Sequence, residues 1–347
     1  DPPVTLRRAI DRVPRDHVVS DPAGRNDPRR AKLRALILAA GGSEPGARDS
    51  TDSLQIGVDD GSHLWVLADD HAPDRALGSA LLEAAGRDRV GLVVFYDDPA
   101  TAAVAARRAR ALDPRPEIRL VDGRSSRPVE PAPVPKRSVP SEPPDGFEDL
   151  CRGAGVEPLC EHGTWMGEVL GLEVVRMVGG RMEVGVGRFD REAMSLLGAG
   201  RPVAEALAAA ANQVRAQRRP GAGPHPLATL ARERWLRCDL VAAPSQVGAT
   251  GLVPVDPADR RSGLRYPSPA PAIGPDGRGG TVLVVCTVGV DVAVVPAAAD
   301  LVRREDPDRV VVVMPPRDVL GPVERAVARL ALPATVVGVP GSWEMTA

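Results

Sequence analysis

Residues 88–98 read DRVGLVVFYDD, and residues 308–318 read DRVVVVMPPRD. In each segment an acidic and a basic residue precede a continuous apolar run, and an aspartate follows it. A short apolar run without polar interruptions is typical of a strand that is covered on both faces, as in the parallel sheet of an α/β protein. We therefore expect a buried parallel strand in each half of the chain.

The two segments are 220 residues apart, and other positions match at the same offset. Leu81 corresponds to Leu301, and the strand-like residues 64–68 correspond to 284–288. An internal duplication explains these matches. Chance matches between two β-α-β units of equal element length explain them as well. Both explanations predict two similar units.

Predicted strands and helices alternate around these segments. The first half has strand patterns at 54–58, 64–68, 90–96 and 117–121 and helix patterns at 31–40, 73–86 and 99–112. The second half has strand patterns at 281–286, 310–314 and 334–339 and helix patterns at 297–304 and 323–330. The turn 59–62 predicts that the first two strands form a hairpin. The expected fold is α/β, with two similar parallel-sheet units, Rossmann-like or flavodoxin-like, that flank a mixed α+β middle segment.

Proline-rich and glycine-rich stretches suggest the domain boundaries. The predicted parts are an N-terminal arm (1–30), the first α/β unit (31–124), a proline-rich linker (125–146), a mixed α+β middle domain (147–243), a Pro/Gly-rich loop (244–280) and the second α/β unit (281–347).

The composition excludes several chemistries. Of 44 basic residues only Lys32 and Lys136 are lysines, and neither stands in a Gly-Lys-Ser/Thr motif. A phosphate-binding P-loop, a Schiff-base enzyme and a protein kinase all require a lysine in a defined setting. The formal charge of −2 provides no overall field for nucleic acid or an anionic membrane.

The cysteine content and the apolar runs bear on location. Four scattered cysteines without a Cys-x-x-Cys pair favour a reducing cytoplasm. No apolar run reaches the roughly 18–20 residues of a membrane span, so we expect a soluble protein. The chain begins at Asp1 rather than Met, which leaves an upstream segment or a removed leader open.

Two pairs of aspartates follow predicted strands of the first unit. Asp69 and Asp70 follow one strand, and Asp97 and Asp98 follow the next. In a parallel sheet these four carboxylates meet at the carboxyl edge, where open α/β sheets bind ligands. Oxygen-rich clusters of this kind bind Mg²⁺ or Mn²⁺ and then position a phosphate. The alternative is that Asp98, which precedes Pro99, is a helix N-cap and that the others are solvated.

The middle segment carries acidic residues on adjacent strand-like stretches, 166–178 and 182–186. With a preceding and a following helix, this order faintly resembles the core of the PD-(D/E)XK nuclease superfamily over about 60 residues. The resemblance implies that Glu173 and Glu183 match the metal-binding acids of that superfamily. The position of its lysine holds Gly185, which implies an inactive relative or no relation. The alternative is that both glutamates are exposed members of hairpin strands.

Two weaker patterns lie nearby. Cys160 and His162 have the types of side chain that bind zinc or act as a nucleophile pair, but they lack a second pair at zinc-finger spacing. Trp235 stands among arginines on a predicted helix, which suits either base stacking or core packing. For these residues we expect a structural role.

No complete catalytic constellation is present in the sequence. The expected function is therefore that of a non-catalytic binding or scaffolding protein that requires no cofactor, with a small ligand or a protein as its partner. Whether the chain is an enzyme stays open. The alternative is a metal-dependent enzyme that acts on a phosphate ester at Asp69, Asp70, Asp97 and Asp98, with Mg²⁺ or Mn²⁺.

Overall fold

A computed structural model describes residues 28–43, 49–52, 55–69, 71–86, 91–188, 190–192 and 202–344. The helices are α1 (Pro28–Ala39), α2 (Ala76–Ala85), α3 (Pro99–Ala109), α4 (Phe147–Gly153), α5 (Val203–Gln217), α6 (Pro226–Thr229), α7 (Arg232–Ala242), α8 (Val294–Glu305) and α9 (Gly321–Val327). The strands are β1 (Asp49–Asp52), β2 (Gln55–Asp59), β3 (His63–Leu67), β4 (Gly91–Tyr96), β5 (Glu117–Asp122), β6 (Ser125–Pro128), β7 (Glu157–Glu161), β8 (Thr164–Val169), β9 (Leu172–Val178), β10 (Arg181–Val184), β11 (Val253–Pro254), β12 (Ala270–Pro275), β13 (Thr281–Cys286), β14 (Arg309–Met314) and β15 (Ala334–Gly338).

The first sheet has the order β1-β2-β3-β4-β5-β6. Strands β3, β4 and β5 are parallel, whereas β1, β2 and β6 join them in antiparallel pairs. The predicted hairpin at 59–62 is confirmed by the β2–β3 pairing. Asp60 fixes its turn by accepting hydrogen bonds from the backbone N–H groups of Ser62 and His63 and from the Trp65 indole.

The second α/β unit has the sheet order β11-β12-β13-β14-β15. Here β13, β14 and β15 are parallel, and β11 and β12 join them in antiparallel pairs. The prediction of two parallel-sheet units is therefore confirmed only in part, because each sheet is mixed. The antiparallel strands β11 and β12 lie in the predicted Pro/Gly-rich loop 244–280. Proline does not prevent this, since β12 is a short strand with Pro271 and Pro275 in its register against β13.

One continuous core joins the two units. The apolar faces of α2, α3, α8 and α9 pack together between the two sheets. Helix α2 contacts α9 and α8, and α3 contacts α8. The segments after α3 and α9 meet in an antiparallel bridge between Leu112 and Leu330. The units thus have two separate sheets but a shared interior.

A further helix covers the outer face of each sheet. Helix α1 packs Leu33, Leu36 and Ile37 against the first sheet. Helix α7 packs Trp235, Leu236 and Leu240 against the second. Helix α7 therefore packs on the second unit, although it lies within the predicted middle domain 147–243.

The middle segment forms an antiparallel sheet in the order β10-β9-β8-β7, with α4 and α5 packed on it. The predicted strand 166–178 is divided between β8 and β9, because Leu170 and Gly171 form a turn with positive φ. The predicted linker 125–146 begins with β6 and continues from 129 to 144 without helix or strand.

Other boundaries also differ from the predictions. Residues 28–30 belong to α1, and the rest of the predicted arm lies outside the described residues.

No helix in the part of the chain that the structure describes is both long and apolar enough to cross a membrane.

Candidate functional site

The carboxyl edge of the first sheet holds the aspartates that the sequence singled out. The ammonium of Lys32 in α1 lies 2.7 and 2.9 Å from the two carboxylate oxygens of Asp97. Arg29, one turn earlier, donates to the Ala68 carbonyl at 2.9 Å and lies 3.7 Å from the Asp69 carboxylate. Helix α1 therefore brings a cation to each of two of these carboxylates, which reduces the charge available to a metal ion.

Asp98 is the N-cap of α3. One of its carboxylate oxygens accepts hydrogen bonds from the backbone N–H and the hydroxyl of Thr101, both at 2.6 Å. These bonds lower the pKa of Asp98. The capping role that Asp98-Pro99 suggested is thus observed.

The predicted Mg²⁺ or Mn²⁺ site stays a prediction. Asp70 lies outside the described residues, so the full set of four carboxylates is not seen together. Within the described ranges, no group of three or more His, Cys, Asp or Glu side chains has the arrangement of a metal site.

A cleft of about 260 Å³ opens beside the carboxyl end of β4. It is lined by Leu77, Tyr96, Ala100, Thr101, Val104, Ala105, Arg108 and Asp259. Most of these side chains are apolar; the polar ones include Thr101, near the N-terminus of α3, and the Arg108–Asp259 pair, near its C-terminus. Ligand pockets typically combine apolar walls with a few polar groups in this way.

Buried ion pairs fix the position of Arg108 in the lining of the cleft. Asp300 of α8 is 2% exposed and accepts hydrogen bonds from Arg107 at 2.7 and 2.8 Å and from Arg108 at 2.7 Å. Arg108 also donates to Asp259, whose side chain is 64% exposed. Arg108 therefore has one partner that is fixed in the core and one partner that faces solvent.

The glutamates that matched the nuclease pattern have structural partners. Glu173 is 3% exposed and accepts hydrogen bonds from Arg176 and Arg191. Glu183 lies 3.7 Å from the guanidinium of Arg191. The expectation that Glu173 is exposed is wrong, because ion pairing with arginine compensates the cost of its burial.

A buried ion-pair cluster that the sequence did not reveal lies between the middle sheet and α7. Arg234 binds the carboxylates of Glu161 and Glu168, and Arg237 donates to Glu168 at 2.9 Å. All four side chains are almost completely buried. The i, i+3 spacing of Arg234 and Arg237 was visible, but their partners lie more than 60 residues away.

In the Cys160–His162 pattern, the partner of His162 is Asp256. The backbone N–H of His162 donates to Asp256 at 2.8 Å, and its imidazole Nδ1 lies 3.6 Å from the same carboxylate.

Trp235 is 3% exposed within the second core, and the guanidinium of Arg218 lies 5.1 Å above its ring. The expected packing role of Trp235 is observed.

The four cysteines are free thiols with raised pKa values. Burial is the main cause, and it raises the pKa of Cys151 to about 11 and those of Cys238 and Cys286 to about 12. The pKa of Cys160 is raised for the same reason. Because the thiolate is the reactive form, none of these thiols has the lowered pKa of a catalytic nucleophile.

Because the pKa of Asp239 on α7 is raised, we expect the stability of the protein to depend measurably on pH. Burial raises its pKa from 3.8 to about 6. Between about pH 4 and 6 the folded state therefore holds a proton that the unfolded state has lost, so this group's contribution to stability falls as the pH rises through that window. We expect Asp239→Asn to stabilise the protein above pH 6 by about 1–2 kcal/mol, after allowance for the partial exposure of the carboxyl group.

Urea unfolding at pH 4 and pH 8 measures this effect. The exposed Asp145→Asn variant is the control, and we expect equal stability to the parent at both pH values. A gain of Asp239→Asn that is the same at pH 4 and pH 8 would contradict a titration effect.

No family model matches the chain, and no curated protein or solved structure matches it.

Proposed function

We propose that this protein is a non-catalytic binding protein and that its ligand is a small molecule with an apolar body and one carboxylate. The observation that carries the proposal is the apolar cleft at the carboxyl end of β4, with Arg108 in its lining. The position supports it, since α/β sheets bind ligands outside the carboxyl ends of their strands. The volume of about 260 Å³ suits a small ligand.

The carboxylate is inferred from the partners of Arg108. Asp300 is fixed in the core, whereas Asp259 is exposed and lies on the segment between β11 and β12. An exposed ion pair contributes little free energy, about 0–1 kcal/mol. A ligand carboxylate that is anchored by its apolar body therefore replaces Asp259 on Arg108 at small cost.

Octanoate is a suitable probe, with octanol as its uncharged counterpart. In calorimetric titrations of the full chain we expect octanoate to bind about tenfold more tightly than octanol, which corresponds to about 1.4 kcal/mol for the charged contact. Ala100→Trp at the mouth and Val104→Trp in the wall are expected to abolish binding because the indole occupies the cleft. Arg110→Trp, on the exposed part of the same helical region, is the matched control and is expected to bind octanoate as the parent does.

Octanoate binding that survives both cleft substitutions would refute this site. Melting curves of the three tryptophan variants establish that a loss of binding is not a loss of folding.

The metal-dependent phosphate-ester enzyme remains the alternative proposal, and a titration with Mg²⁺ or Mn²⁺ distinguishes it. A specifically bound ion raises the melting midpoint by mass action. Under the binding-protein proposal we expect no shift at millimolar metal, since Lys32 and Arg29 already accompany Asp97 and Asp69. A shift that Asp97→Asn removes would favour the enzyme.

We also propose that the two α/β units arose by internal duplication. Both contain a leading helix, two antiparallel strands and then three parallel strands joined by two helices. The antiparallel Leu112–Leu330 bridge and the contacts of α2 with α9 and of α3 with α8 fit an approximate twofold relation between the units. The sequence matches at offset 220 support the same origin.

A further inference from the structure

The outer edge of β15 is unpaired in the part of the chain that the structure describes. The bonds from Val310 N–H to the Pro333 carbonyl and from Val339 N–H to the Met314 carbonyl set the register of β15 on β14. In a parallel ladder alternate residues bond to the same neighbour. The N–H and C=O groups of Ala334, Val336 and Gly338 therefore point away from β14, and no described group bonds to them.

The corresponding edge of the first sheet is occupied. Strand β5, which has the place of β15 in the first unit, carries β6 in an antiparallel pairing. The Arg119 guanidinium anchors β6 through the Ser126 hydroxyl at 2.8 Å and the Ser126 carbonyl at 3.0 Å. After β15 the chain turns away instead, and Trp343 packs into the second core. An antiparallel strand thus fits at this position of the architecture.

Strand β15 lacks the features that protect exposed edges. Its sequence is Ala-Thr-Val-Val-Gly, without a charge, an internal proline or a bulge. Val336 and Val337 are only partly buried, whereas Val310 to Val313 of the adjacent strand are fully buried. Pairing at this edge would satisfy polar groups and cover apolar surface at the same time.

We propose that two copies of this chain associate through β15, antiparallel about a twofold axis at Val336. In this register Val336 lies opposite Val336 of the second copy, and Ala334 lies opposite Gly338. All three outward-facing residues then form hydrogen-bonded pairs, so the edge is complementary to itself. No like charges are brought together, because the strand carries none. The two five-stranded sheets become one continuous sheet.

The short strand implies a weak dimer. Five residues a side bury less than a standard interface, so we expect a dissociation constant on the order of micromolar. Sedimentation velocity of the full chain up to about 300 µM is expected to show conversion of the 36.4 kDa monomer to a dimer.

Two substitutions localise the interface. Val336→Lys places two ammonium groups opposite each other at the axis, and we expect it to weaken association at least tenfold. Val253→Lys is the matched control, since Val253 is exposed on β11 at the opposite edge of the same sheet, and it is expected to leave the dimer intact.

A covalent test does not depend on the folding of the lysine variant. Hydrogen-bonded antiparallel pairs have Cα atoms about 5.5 Å apart, within disulfide range. Mild oxidation of Val336→Cys is expected to give a disulfide-linked dimer, whereas Val253→Cys is expected to stay monomeric. A monomer at every concentration, or a dimer that Val336→Lys leaves unchanged and Val336→Cys does not cross-link, would overturn the proposal. None of these results depends on the octanoate cleft.

Discussion

Replacement of Asp300 by alanine is expected to lower the free energy of unfolding by about 3–5 kcal/mol, because it leaves the buried guanidinium of Arg107 without a carboxylate partner and that of Arg108 with only the exposed Asp259. Arg107 and Arg108 are 8% and 6% exposed, and both bind Asp300 across the contact between α3 and α8. This loss is a large fraction of the stability of a typical domain. Urea unfolding, followed by circular dichroism, measures it.

The control is Asp259→Ala, which removes a carboxylate from the same Arg108. Because the Asp259 side chain is 64% exposed, we expect a loss of only about 0–1 kcal/mol. Arg107→Met and Arg108→Met, combined with Asp300→Leu, are expected to restore much of the stability, since replacing all members of a buried ionic group by apolar residues is often tolerated. Equal effects of Asp300→Ala and Asp259→Ala would contradict the role assigned to burial.

Gly78→Ala is expected to destabilise the protein by about 3 kcal/mol, although alanine is the better helix former by about 1 kcal/mol. A Cβ atom at Gly78 would lie 1.7 Å from the Val292 carbonyl oxygen and 2.7 Å from its carbon. Those atoms belong to the backbone between β13 and α8, so they cannot rotate aside. Helix α2 and the second unit have to separate to admit the methyl group.

Gly153→Ala provides the comparison. Gly153 lies in α4, and a Cβ atom there would have no heavy atom within 4 Å. We expect this variant to be as stable as the parent or up to about 1 kcal/mol more stable. Thermal melting of both variants gives the comparison, and a stabilising effect of Gly78→Ala would show that α2 does not approach Val292 this closely.

The proposed ligand cleft and the proposed dimer interface lie on different parts of the molecule. The ligand cleft lies at the contact between the units, next to the Arg107–Arg108–Asp300 group, whereas the β15 edge lies on the outside of the second sheet. Stability changes at Asp300 are therefore expected to affect octanoate binding more than association of the chain.

The sequence by itself determined the local elements. The apolar runs 90–96, 281–286 and 310–314 became β4, β13 and β14, because an uninterrupted apolar run is favourable only where both faces are covered. Asp98-Pro99 became a helix N-cap, because the cap is formed by neighbouring backbone N–H groups. The cap acts within a few residues, and each apolar run is contiguous in the sequence, so a single sequence contains the information.

Only the tertiary structure decided the long-range partners. Nothing near Lys32 in the sequence indicates Asp97, and nothing near Arg107 and Arg108 indicates Asp300, 193 and 192 residues away. Glu173 is buried rather than exposed because Arg191, 18 residues away, binds its carboxylate together with the neighbouring Arg176. An ionised side chain is stable in the interior only with an opposite charge beside it, and the chain fold alone brings that charge into place.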